Sequence, residues 1–223
     1  ATKWEYQAKE IGTFADKADY VFTDSVTSKE LYDAVGKTAT GDKYDWSVAV
    51  NGDYVDYDGA DLYANRTDND ADFAKKAGLD ELTGNGVITE VFVDGTAGEE
   101  SVHIAVINQY AAEVLKVDKD DKTITLSDLD NGPAKTSDTF DTTDFAEDDI
   151  VVYTYAEGEI QSVYAAEKLE GEVTRVRSNT TDGETGNGDN FVVDGTTYKY
   201  NKLVGSTESR TEYTIGEDAK VVL

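Results

Sequence analysis

The chain has 223 residues, with 47 Asp and Glu against 20 Lys and Arg, a formal net charge of −27. Nucleic acid and anionic membrane surfaces are excluded as partners, because both require a basic patch and none can be read here. The absence of Cys removes disulfides, thiolate metal sites and Cys nucleophiles. No apolar run reaches the length of a membrane span, so no membrane insertion is expected. High net charge with low hydropathy is the signature of disorder. The 14 Tyr, 7 Phe and 2 Trp, with a single Pro, argue for folding instead. With no Met anywhere, the start at Ala1 reads as a mature or excised fragment whose export signal or anchor lies elsewhere.

In chain order, Thr27-Ser28-Lys29-Glu30 fits a capping box. Leu31, Ala34 and Val35 form an apolar stripe and Gly36 is the stop, so a short helix is predicted. A strand follows at Ser47–Val50, and Asp70 is placed to cap a second helix through Phe73, Ala74 and Ala77, ending at Gly78. Beyond it, runs of β-branched and aromatic residues between Gly, Asp and Asn turns predict strands. They fall at Val87–Val93, Val102–Ile107, Val114–Val117, Thr123–Leu126, Ile150–Tyr155, Ile160–Ala165, Glu172–Val176, Phe191–Val193 and Thr197–Tyr200. The polar turn Asp118–Lys122 makes Glu113–Leu126 a hairpin, and Glu157-Gly158 makes a second. Alternation of Ile124 and Leu126 with Thr suits a sheet with one face in water.

A diverged internal repeat runs through these strands. Ala111–Val117 resembles Glu170–Val176, at an offset of 59 (172 − 113 = 59). Val91-Phe92-Val93-Asp94-Gly95 resembles Tyr153–Gly158, and Val50-Asn51-Gly52-Asp53-Tyr54 resembles Val193–Tyr198. The tail Glu217–Leu223 resembles Glu147–Val152. The expected fold is all-β with one or two short helices, as tandem small β-barrel or β-sandwich modules near 1–107, 108–167 and 168–223. Residues 1–45 match the unit least.

Four stretches carry a family resemblance. They are Phe145–Tyr153, Gly158–Val163, Leu169–Val176 and Phe191–Tyr198. They resemble the β-rich modules that follow the S-layer homology domains in surface proteins of Gram-positive bacteria, over roughly residues 85–223. The anchor repeats of those proteins have no match here. The resemblance implies an exported architectural role at the cell wall surface, with self-association or neighbouring domains of the same protein as partners. It implies no catalytic residue.

Candidate chemistry is sparse. Asp68, Asp70 and Asp72 have the D-x-D-x-D spacing of an oxygen-ligand loop for Ca²⁺. It is not an EF-hand, because Phe73 holds the Gly position and Leu79 the bidentate Glu position. Asp128 and Asp130 echo it before Gly132, and Asp53, Asp56, Asp58 and Asp61 cluster about Gly59. No cofactor is required, and Ca²⁺ is the one candidate. His103 is the only His and lies in a strand, where a structural or exposed role is the ordinary one. Trp4, Tyr6, Trp46, Tyr54, Tyr57 and Tyr63 are of the type that stacks on sugar rings, although filling a small core is the commoner use. The expectation is a non-catalytic scaffold or spacer. A glycan- or protein-binding adhesin module is the alternative, and an accessory domain of a secreted hydrolase is the third.

Overall fold

The computed structural model describes residues 2–6, 9–14, 17–35, 44–56, 79, 82–129, 132–177, 190–203, 215–216 and 218–222. The chain is nearly all β, as its composition of alternating runs requires, and it divides into two compact units, Ala1–Asn108 and Gln109–Leu223.

The first unit begins with the antiparallel hairpin β1 (Thr2–Tyr6) and β2 (Lys9–Phe14), a two-stranded sheet. Its main sheet has β3 (Tyr20–Phe22), β4 (Asp45–Val50), β5 (Asp53–Val55), β6 (Val87–Asp94) and β7 (Ser101–Asn108), in the order β3-β6-β7-β4-β5. The pair β4–β7 is parallel and the others are antiparallel. As the central strand, β7 is covered on both faces. Its run Val102–Ile107 is therefore buried without alternation. The helix α1 (Ser28–Val35) starts at the predicted capping box: Glu30 N–H donates to Thr27 Oγ1 (3.2 Å) and Thr27 N–H to Glu30 Oε2 (2.8 Å). Its stripe Leu31, Ala34 and Val35 is buried. The predicted helix at 70–78 lies outside the described residues.

The second unit holds two antiparallel sheets. One has β8 (Tyr110–Asp118), β9 (Thr123–Asp128), β10 (Thr139–Asp141), β11 (Ile150–Ala156) and β12 (Glu159–Ala165), in the order β10-β9-β8-β11-β12. Its edge strands β10 and β12 approach each other, so the sheet curls nearly into a barrel. Ala112, Val114, Ile124, Leu126, Val151 and Tyr153 fill it. The other has β13 (Lys168–Arg177), β14 (Asn190–Val193), β15 (Thr196–Lys199) and β16 (Asp218–Val222), in the order β15-β14-β13-β16. Val173, Phe191, Val193, Ala219 and Val221 form its core.

The two sheets of the second unit repeat one another in register. Between β8 and β9 the ladder steps from Val114–Leu126 to Lys116–Thr125, leaving Leu115 as a bulge. Between β13 and β14 it steps from Val173–Val193 to Arg175–Val192, leaving Thr174. Thr174 follows Leu115 by the same interval that separates Glu172 from Glu113. The bulge is tied the same way in each. Asp148 (φ 69°) donates its N–H to Val114 O at 3.0 Å, and Gly216 (φ 91°) donates its own to Val173 O at 2.8 Å. Thus β10-β9-β8-β11 is repeated as β15-β14-β13-β16. In the sequence alignment of the tail, Asp218 faces Asp148. In the ladders Glu113 pairs with Ile150 and Glu172 with Asp218, so the true match is two residues away. Side chains alternate with period two, so that slip keeps the inward set inward, and Ala219 occupies the place of Val151.

Three hairpins share a two-residue turn with both central residues at positive φ: Asn51-Gly52 (49°, 85°), Glu157-Gly158 (54°, 86°) and Asp194-Gly195 (47°, 86°). This primed turn matches the twist of the flanking strands, and Gly at its second position carries no steric cost. The likeness of Val50–Tyr54 to Val193–Tyr198 is thus one of turn. Around it β4 runs parallel to its inner neighbour, whereas β14 runs antiparallel to β13. Val91–Gly95 leads into a longer connection before Ser101, unlike its aligned counterpart at Glu157-Gly158.

Candidate functional site

Of the residues that the sequence offers as Ca²⁺ ligands, Asp68, Asp70, Asp72 and Asp130 lie outside the described residues. Asp128 ends β9, half-buried, and its carboxylate is already engaged. Oδ1 accepts the Tyr153 hydroxyl proton at 2.6 Å and Oδ2 accepts the Gly132 N–H. The Tyr153 oxygen in turn accepts from the Ala134 N–H at 3.2 Å. Tyr153 comes from β11 and is fully buried, its ring 5.3 Å from that of Tyr110. Desolvation first, and the Asp128 carboxylate second, push the Tyr153 phenol above its ordinary range, so it stays a donor.

Gly132 is required by close approach. A Cβ there would run into the Asp128 carboxylate, the Tyr153 hydroxyl and the Tyr110 ring. Two residues along β11, and therefore on the same face, Tyr155 donates to Asp138 Oδ2 at 3.0 Å, which also accepts the Lys135 N–H at 2.9 Å. Two tyrosines of one strand thus hold two aspartates at either end of the β9–β10 connection. The signal for this clamp in the sequence is Tyr-x-Tyr in an apolar strand, together with Asp residues bracketing an Asn-Gly-Pro turn. Neither half points to the other until β11 is placed beside β8.

His103 is brought against Ser47 by the parallel register of β7 and β4, in which the two residues are partners. Ser47 Oγ and His103 Nδ1 are 2.7 Å apart. The sequence alone singles out His103 but not Ser47, which is 56 residues away. A Ser–His contact is half of a nucleophile and base pair. Here the imidazole is 1% exposed, with Tyr54 edge-on at 5.9 Å and Phe92 at 6.2 Å. Burial pushes the imidazole down to about 4, so it is neutral at neutral pH and the contact ties two strands together.

Elsewhere two of the described carboxylates serve turns. Asp118 accepts the N–H groups of Asp120 and Asp121 (3.2 Å each) and the Lys116 ammonium, which hold its carboxyl below the usual range. Asp94 is lowered by hydrogen bonds from Thr96. Among the described residues, no group of three or more His, Asp or Glu side chains converges as a metal cage. Of the aromatic candidates, Tyr54 is exposed and Trp46 half-buried, the side chains of Trp4 and Tyr6 are not described, and Tyr57 and Tyr63 lie outside the described residues.

No protein-family model matches this chain, and no curated protein does. What the geometry offers is a set of polar clamps: Ser47–His103 in the first unit, and Tyr153–Asp128 and Tyr155–Asp138 in the second. Each pairs polar side chains from segments that the fold brings together. No helix among the described residues is long and apolar enough to cross a membrane.

Proposed function

We propose that the chain is a non-catalytic structural segment of an exported bacterial surface protein, a scaffold or spacer built from repeated acidic β modules. The observation that carries this reading is the recurrence of one sheet, with the same bulge and the same strand order, along a chain in which short connectors lead from β7 to β8 and from β12 to β13. Only Gln109 separates β7 from β8, and only Ala166 and Glu167 separate β12 from β13. Ala166 is itself pinned by its N–H to Ile150 O at 3.1 Å. Repeats joined by brief connectors suit a load-bearing or spacing role. An acidic surface keeps such a segment soluble, and divalent cations would relieve its repulsion.

Antibodies raised against the folded chain test this on the source bacterium. Surface labelling of intact cells is expected. Labelling only after lysis would remove the surface assignment. A glycan array separates the scaffold from the adhesin alternative, since binding to one defined sugar class would favour the latter.

A further inference from the structure

The two repeated sheets differ in one connection. β9 pairs with β10 through Thr125–Thr139, and β14 with β15 through Val192–Thr197, at equivalent rungs beside the shared bulge. The separation is 139 − 125 = 14 in the near-barrel and 197 − 192 = 5 in the other sheet, so the near-barrel takes nine residues more. The register is the same in both, so the extra length displaces neither strand. One sheet turns at Asp194-Gly195. The other runs from Ser127 to Asp138, of which residues 127–129 and 132–138 are described.

Two core positions change with the connection. Ala112 lies opposite Asp128 and Val151, and its counterpart in β13 is Gly171, opposite Ala219. A Cβ on Gly171 would run into the Asp194 carboxylate and a Val193 methyl. The tight turn therefore occupies the space into which Ala112 puts its methyl group. Tyr153 lies opposite Tyr110, and at the same rung Val221 lies opposite Leu169. The Tyr153 hydroxyl bonds Asp128 and the Ala134 N–H, both in the long connection, and Val221 carries no such group. Gly and Val accompany the short link, Ala and Tyr the long one.

We propose that the β9–β10 connection is an insertion into the repeated sheet, and that Ala112, Tyr153 and Tyr155 are its fittings. The frame folds without it, as β14–β15 already does. The tyrosine hydroxyls hold the inserted segment in one form on a sheet that does not need it. In repeat proteins, insertions of this kind carry what one module does and its neighbours do not.

The test exchanges the two connections. In a shortened chain residues 129–137 are deleted, and Ser127→Asp with Asp128→Gly sets an Asp-Gly turn after Leu126, as Asp194-Gly195 follows Val193. Tyr153→Phe and Tyr155→Phe remove the hydroxyls that lose their partners. Calorimetry reads the midpoint of the second unit. The deciding substitution is Ala112→Gly. In the native chain it empties a buried methyl site and lowers the midpoint. In the shortened chain it clears the turn and raises it. The reverse exchange puts a copy of Ser127–Ser137 in place of Asp194-Gly195, with Val221→Tyr, and does not depend on the shortened barrel folding. There Gly171→Ala raises the midpoint, whereas in the native chain it lowers it. A cooperative transition with this change of sign, in either exchange, supports the proposal. Loss of the transition in both exchanges, or one sign throughout, overturns it and makes the connection part of what builds the sheet. The proposal rests on the repeat and not on the surface assignment, which cell-surface labelling tests separately.

Discussion

Tyr153 and His103 show how buried polar side chains act here at the scale of single residues. In Tyr153→Phe, Asp128 loses a proton donor and the Ala134 N–H its acceptor. A cost of about 1–3 kcal/mol to the second unit is expected. Urea denaturation followed by near-ultraviolet circular dichroism would measure it, and a double-mutant cycle with Asp128→Asn should show strong coupling. For His103 the sign is set by its lowered folded value. The unfolded imidazole titrates near 6.5 and the folded one near 4, so the unfolded state binds the extra proton between those values. The stability due to the neutral imidazole is complete above about pH 6.5 and is lost as pH falls toward 4, by up to about 3 kcal/mol. Protonation of surface carboxylates over the same range relieves repulsion and works the other way. His103→Leu isolates the imidazole: the difference between it and the native chain should change between pH 6.5 and 4 and be flat above. A difference independent of pH would remove His103 from the account.

Turns and bulges decide register at the scale of the element. Leu115 is half exposed, so Leu115→Ala removes little buried surface and should cost under about 1 kcal/mol. Deleting Leu115 is a different perturbation. It closes the bulge and leaves a regular ladder, with Val114 still opposite Leu126 and Val117 opposite Ile124, so both side chains stay inward and the local bend and twist are what is lost. The second unit is expected to keep a cooperative transition at a lowered midpoint, measurable by calorimetry. Gly195→Ala, at φ 86°, should cost roughly 1–2 kcal/mol through left-handed backbone strain alone. The elements legible in the sequence were those set by local physics. The capping box at Thr27, the Asp118–Lys122 turn, and the alternation around Ile124 and Leu126 each need only residues a few positions apart. β3, β5 and β10, of three residues each, had no such signal, because their ordering comes from the neighbour they pair with.

Repulsion is the dominant long-range term for the whole molecule. At −27, added NaCl should raise the thermal midpoint by screening alone. Millimolar Ca²⁺ against Mg²⁺ at constant ionic strength separates bound ions from that background. A native-state site filled at a hundredfold excess over Kd adds about 2.7 kcal/mol. A rise with Ca²⁺ unmatched by Mg²⁺ would establish an ordered site. Equal curves would remove calcium from the proposed role. Asp128 gives no reason to expect the site at the end of β9, because its two oxygens are already held by Tyr153 and Gly132.

Composition and periodicity, read alone, determined that this acidic chain folds into β structure with a short capped helix. They also showed that its strands recur, because alternation, capping and turn chemistry are local and survive divergence. Strand order, the parallel placement of β4 beside β7, and the two-residue slip between β11 and β16 were decided only by the tertiary structure. So were the partnerships of Ser47 with His103 and of Asp128 with Tyr153. Each depends on which distant segments share a sheet, and the free energy that chooses among pairings comes from burying side chains together, a quantity no single segment carries.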